Sequence, residues 1–184
     1  MQLSMQGRVA VVTGASRGLG KAMAHAFAGA GASVALIARG QDVLAAAASS
    51  ITTETGAKTL AVVGDVSSAQ ECKRIIAEVE AGLGPVDVLV NNAGSSARGV
   101  FEDISDEQWQ ADLDLKLFGA IRLTRLVFSG MKARRFGRVV NVLNTGAKAP
   151  PAEGAPTAVS RAAGMALTKV LANEERPTTC LSTH

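Results

Sequence analysis

The chain has 184 residues, of which 47% are hydrophobic, 19% charged and 3% aromatic, with a net charge of +3 at pH 7. This balance fits one globular domain and excludes a disordered chain, a collagen-like chain and a disulfide scaffold. Two cysteines, Cys72 and Cys180, point to a reducing cytoplasm.

No apolar run reaches the roughly 18 residues of a membrane span. Residues 1–7 lack the apolar stretch of a signal peptide. The charge is too small and scattered for a nucleic-acid footprint, and no metal is expected.

Short β-branched runs alternate with alanine-rich helical stretches. Strand Arg8–Thr13 leads into helix Gly20–Ala30, and strand Ser33–Ala38 into helix Asp42–Thr55. Strand Lys58–Val63 precedes helix Ser68–Leu83, and strand Val86–Asn91 a long helical region over Asp106–Arg134. Strand Arg138–Leu143 is followed by a Pro-, Ala- and Gly-rich loop, Lys148–Pro156, and by helix Thr157–Asn173. Strands alternating with long helices make βαβ units and a parallel sheet. The nearly continuous apolar character of Val9–Val12, Val34–Ile37 and Val86–Val90 suits strands covered on both faces.

Between the first strand and the first helix lies Thr13-Gly14-Ala15-Ser16-Arg17-Gly18-Leu19-Gly20, with glycines spaced GxxxGxG. Glycines there allow a tight turn and a close approach of backbone to a pyrophosphate, and the helix start behind them offers free N–H groups. Gly14, Ser16, Arg17, Gly18, Leu19 and Gly20 are therefore cofactor-binding candidates. A site for NAD usually carries an acidic residue at the end of the second strand, to bond the ribose 2′-hydroxyl. Here that strand ends Ile37-Ala38-Arg39-Gly40. Arg39, with Arg17, would favour a 2′-phosphate and hence NADP; the competing reading makes Arg39 a solvated loop charge.

These features resemble the short-chain dehydrogenase/reductase family, in its branch related to 3-oxoacyl-carrier-protein reductases. Thr13–Gly20 matches the family's TGxxxGxG, Asp65-Val66 its adenine-contacting pair, and Asn91-Asn92-Ala93-Gly94 its NNAG. Gly137–Val142 matches its fifth strand. The resemblance implies a Rossmann-type doubly wound α/β sheet in a single domain, residues 1–174. It implies that Asp65 meets the adenine amino group and that Asn92, Ala93 and Gly94 line the cofactor. It also implies a small carbonyl or alcohol substrate, and a homo-oligomer built on the long helices, which Leu113, Leu117, Leu126 and Phe128 would suit; by helical period, Trp109, Leu113, Leu117 and Ile121 form either a core face or a face for a partner helix.

The family's catalytic set is a tyrosine, a lysine four residues later, a serine and an asparagine. Those positions fall on Thr157, Arg161, Asn144 and Lys116, and the chain contains no tyrosine. A threonine alcohol is a poor acid, and arginine cannot shuttle a proton. Asn144 can donate to a carbonyl oxygen. Lys116, depressed by Arg161 and by partial burial, could serve as a replacement acid, or it is a solvated or structurally paired lysine. Two functions stay open: an oxidoreductase with an atypical site, and a catalytically inactive nucleotide-binding protein or partner subunit for an intact relative.

Residues 175–184 carry no strand pattern and lack the last strands of the family. One permitted set of codons, read two bases along, encodes Ala-Pro-His-Asn-Val-Pro-Val-Asn-Ala, which resembles the family's entry into strand six. The tail is therefore expected to be out of frame or unstructured, leaving strand five as an exposed apolar edge.

Overall fold

The computed structural model describes residues 4–174 and the backbone of residues 180–183. Six strands form one parallel sheet: β1 (Val9–Thr13), β2 (Ser33–Ala38), β3 (Thr59–Val63), β4 (Val88–Asn91), β5 (Gly137–Asn141) and β6 (Cys180–Thr183). Their order is β3-β2-β1-β4-β5-β6, with the crossover between β1 and β4. Successive side chains point to opposite faces of a strand, and each face has its own core. Val9, Val11, Ile37, Val62, Leu89 and Val139 pack against α3 (Ala69–Leu83) and α5 (Gly119–Ala133). Ala10, Val12, Leu36, Val88 and Val90 pack on the other face, against α1 (Gly18–Gly29) and α2 (Gln41–Thr55). This is the doubly wound sheet expected from the sequence.

The long helical region is not one helix. Ser105 and Gln108 form a capping box that starts α4 (Asp106–Leu113). A wider π turn over Asp114–Phe118 follows, then α5. Gly119 lies where the bulge meets the turn after β3; a Cβ there would stand 3.1 Å from the Val66 carbonyl oxygen. The bulge turns Lys116 inward, where it is buried. The last helix, α6 (Thr157–Glu174), starts where the sequence places it. Asn91 Nδ2 donates to Asn141 Oδ1 at 2.9 Å, Asn141 Nδ2 to Thr168 Oγ1 at 2.8 Å, and Thr168 to the Gly164 carbonyl at 2.8 Å, so a polar chain ties β4, β5 and α6 together.

Two expectations are corrected. Of the two readings of the stripe Trp109, Leu113, Leu117 and Ile121, the core face is not found, because each side chain is only half-buried; Leu123, Val127 and Met131 fill the inner face instead. Strand five is also not an open edge. Cys180–Thr183 pairs along it in parallel, with Gly137 opposite Cys180 and Val140 opposite Thr183. An unpaired row of backbone groups is a template for any extended segment, whatever its side-chain pattern. Within the tail expected to be out of frame or unstructured, residues 175–179 and 184 lie outside the described residues.

Candidate functional site

The glycine loop is built around its neighbours on β4. Gly14 and Gly18 have φ of +66° and +56°, which side chains other than glycine rarely adopt. A Cβ on Gly20 would collide with the Gly14 carbonyl oxygen, and one on Gly14 would sit 3.0 Å from Asn92 Nδ2. Thr13 Oγ1 donates to the Val90 carbonyl at 3.2 Å and accepts from the backbone N–H of Asn92 and of Ala93, each at 2.9 Å. Asn92 Nδ2 returns a bond to the Thr13 carbonyl at 2.9 Å. Helix α1 opens on Arg17 with no side-chain cap and no acidic residue in its first turn. Its positive end therefore faces the loop unneutralised.

Over this loop lies a cavity of about 480 Å³. Gly14, Ser16, Arg17, Leu19 and Gly20 form its floor, with Arg39, Asp65 and Val66 at one end and Asn92, Ala93 and Gly94 at the other. Gly18 supplies the turn without lining the cavity. Arg39 Nη1 stands 3.8 Å from Asp65 Oδ2, and its side chain is 75% exposed, free to swing toward a ligand. Asp65 Oδ1 is fixed by the Ser67 N–H at 2.9 Å and the Ser67 hydroxyl at 2.8 Å. A second cavity of about 570 Å³ adjoins the first, sharing Arg39, Asp65, Ser95 and Leu115, and reaches Asp112 and Pro156.

Of the four positions that the resemblance assigns to catalysis, Lys116 and Thr157 are bonded to each other, and Arg161 lies nearby. Lys116 Nζ donates to Asp112 Oδ1 and, at 2.7 Å, to Thr157 Oγ1. The Lys116 and Asp112 side chains are 0% and 1% exposed, so this is a buried ion pair. Thr157 Oγ1 also accepts from the Ala97 N–H at 2.9 Å and lies 3.3 Å from Asp112 Oδ1. Ser160 donates to the other Asp112 oxygen at 2.6 Å. Arg161 Nη1 donates to the Val142 carbonyl at 2.7 Å, and its Nη2 packs so tightly on Gly94 that a Cβ there would collide with it. Asn144 stands apart, exposed at the start of the short turn Thr145–Ala147. Burial pushes the Lys116 ammonium below its ordinary value and Asp112 opposes this; Arg161 is the weakest influence, where the sequence reading put it first.

The comparisons follow this geometry. Residues 8–181 match the family model for short chain dehydrogenase. An acetoacetyl-CoA reductase of Shinella zoogloeoides is 42% identical over 91% of this chain and 67% of its own length. A ketoacyl reductase assigned to monensin polyketide synthesis in Streptomyces virginiae is 38% identical over 93% of this chain and 66% of its own length. The crystal structure of L-sorbose reductase from Gluconobacter frateurii, complexed with NADPH and L-sorbose, superposes with a TM-score of 0.94 at 34% identity, covering 98% of this chain and 68% of that one. The chain belongs to the short-chain dehydrogenase family. It is a Rossmann-type chain of the oxidoreductase class, similar to ketoacyl and acetoacetyl-CoA reductases, and it spans about two thirds of their length. Among the described residues, no helix is long and apolar enough to cross a membrane.

Within this short-chain dehydrogenase site, sequence reasoning missed Asp112 and Ser160. Asp112 had one visible signal, its place four residues before Lys116 on a helix, where the two side chains share a face. Ser160 had none, since its partner lies 48 residues away.

Proposed function

We propose that this chain is an NADP(H)-binding member of the family whose catalytic centre has been converted into a structural network. The observation that carries this reading is the closed set of bonds among Asp112, Lys116, Thr157 and Ser160. The hydroxyl at the tyrosine position accepts from Lys116 and from the Ala97 N–H, and its one proton faces the Asp112 carboxylate. It holds no proton free for a substrate oxygen.

The nucleotide half fits its ligand. The loop N–H groups and the start of α1 suit a pyrophosphate. The exposed Arg39 and Arg17 suit a 2′-phosphate. Asp65 is held where an adenine amino group can donate to it. The nicotinamide end of the cofactor then falls at Asn92–Gly94. Bound there, the cofactor would supply hydride chemistry, and this chain's residues would supply binding and orientation alone. The half-buried stripe from Trp109 to Ile121 supports a homo-oligomer, the assembly in which a chain of this kind would sit beside a second copy or an intact relative, in the cytoplasm.

A second reading keeps a reductase acting on a small carbonyl compound, with Lys116 as its acid. It draws support from burial, which pushes the lysine below its ordinary value, and from Lys116 Cε lying 3.5 Å from where a Gly94 Cβ would stand at the cavity wall. The test is a titration with NADPH and NADH, followed by turnover with ketones and alcohols. NADPH binding in the micromolar range, without turnover, supports the first reading. Turnover that Lys116→Met abolishes supports the second. A folded chain that binds neither nucleotide defeats both.

A further inference from the structure

Two basic side chains, Arg161 and Lys116, pack beside Gly94, Asp112 is bonded to Lys116, and the three charges do not cancel. The Asp112 carboxylate is held by Lys116 and bonded by the hydroxyls of Thr157 and Ser160. Among the described residues, the backbone carbonyl of Val142 is the one hydrogen-bond partner of Arg161. Among the described residues no carboxylate lies within ion-pairing distance of its guanidinium. The neighbouring Asp114 is engaged elsewhere, 2.8 Å from Arg122. At neutral pH the cluster thus holds two cations and one anion, and the surplus charge is arginine's, which does not ionise away. Its Nη2 presses directly on Gly94, and Gly94 lines the dinucleotide cavity at the end opposite Arg39 and Asp65.

We infer that this surplus charge makes the site selective for the reduced nucleotide, with Arg161 as the residue that discriminates NADPH from NADP+. The inference rests on the nucleotide reading given above. The two forms differ by one unit of charge, carried on the nicotinamide ring: the oxidised ring is a cation and the reduced ring is neutral. A fixed cation in a partly desolvated wall repels the first and is indifferent to the second. Loss of solvent drives the guanidinium down and the Asp112 carboxylate, already paired with Lys116, opposes this only in part, so the charge is incompletely offset and water screens it poorly. The other basic groups of the cavity, Arg17 and Arg39, lie at the phosphate and adenine end and meet the same groups in both forms. The discrimination therefore belongs to Arg161, and the chain would respond to the proportion of reduced nucleotide rather than to the total.

The experiment is calorimetric titration of the full chain with NADPH, NADP+ and 2′,5′-ADP, which lacks the nicotinamide ring. The wild type is expected to bind NADPH roughly tenfold more tightly than NADP+, as one partly screened charge interaction predicts. Arg161→Gln, which can still donate to the Val142 carbonyl, is expected to bring the ratio to within about twofold, and Arg161→Lys to preserve it. Binding of 2′,5′-ADP should be unchanged in both variants. Equal wild-type affinities for the two dinucleotides overturn the inference while leaving the nucleotide site standing. A preference that survives in Arg161→Gln also overturns it. Failure of all three ligands to bind overturns the nucleotide reading and this inference together. Should the glutamine variant not fold, the wild-type ratio decides.

Discussion

Lys116 Nζ lies 2.7 Å from Thr157 Oγ1, so one hydrogen bond directly joins two residues that stand 41 apart in the sequence. Both are anchored on Asp112, which makes that carboxylate the support of the whole network. Asp112→Asn would leave a buried ammonium without its counter-charge, and unfolding in urea should register a loss of about 3–5 kcal/mol. The double variant Asp112→Leu/Lys116→Met removes both charges together and should cost markedly less. Equal losses would mean that the pair is not acting as a buried ion pair.

Arg39 is exposed and loosely paired with Asp65 at 3.8 Å, an arrangement that a 2′-phosphate can take over. In Arg39→Asp the phosphate would meet two carboxylates instead of a guanidinium. Titration followed by energy transfer from Trp109 should give at least about a tenfold loss of NADPH affinity, in line with the loss of a charge-assisted contact. NADH should bind as well as before or better, because the new aspartate can accept from a free 2′-hydroxyl.

Cys72 gives a pH-dependent prediction. Its thiol is fully buried and donates to the Val66 carbonyl at 3.2 Å. Burial pushes the thiol above its ordinary value of 9.0. Between that value and the raised one, the folded chain keeps a proton that the unfolded chain has released. Stability is therefore held below pH 9 and falls as pH rises through the folded value. Cys72→Ala lacks this dependence. Its deficit relative to wild type, measured by denaturant midpoints from pH 7 to 10.5, should shrink as the solution becomes alkaline. A constant deficit would contradict the assignment.

The stripe of Trp109, Leu113, Leu117 and Ile121 leaves apolar surface on the outside of α4 and α5. Leu117→Glu places a charge in its middle while leaving the inward-facing Leu123 and Val127 untouched. Sedimentation velocity should find a wild-type oligomer and a smaller species for the variant, since a charge buried at an apolar interface costs several kcal/mol. A wild-type chain that sediments as a monomer would remove the interface.

The sheet was legible in the sequence because its evidence is local. Ser33–Ala38 is found as expected, and β1, β3 and α3 begin one residue later than the pattern suggests. The nucleotide loop was legible for the same reason, as eight consecutive residues encode the turn, the glycines and the helix start. The break in the long helix was not, because Asp114–Phe118 has no proline; the bulge follows from packing against Val66, more than 50 residues earlier. The positions that the resemblance assigns to catalysis could be named from the sequence, yet the bonds their residues make could not. Nothing local tells that Thr157 will bond Lys116 across 41 residues, or that Asp112, whose spacing points only to Lys116, will also collect Thr157 and Ser160. The small role of Arg161 in lowering Lys116 was equally hidden, since burial is a property of the assembled fold.

The bonds between Thr13 and Asn92 also bear on how fast a ligand can be taken up. Because the threonine hydroxyl and the asparagine amide already hold the first turn of the glycine loop against β4, that turn has little freedom left to lose when a nucleotide arrives. A clamped receptor accepts its guest without a slow rearrangement, and the ordering cost is met during folding instead of at each encounter. Uptake should then run as a single fast phase that scales linearly with nucleotide concentration, and Thr13→Val should convert it into a saturating one by letting the loop wander between visits.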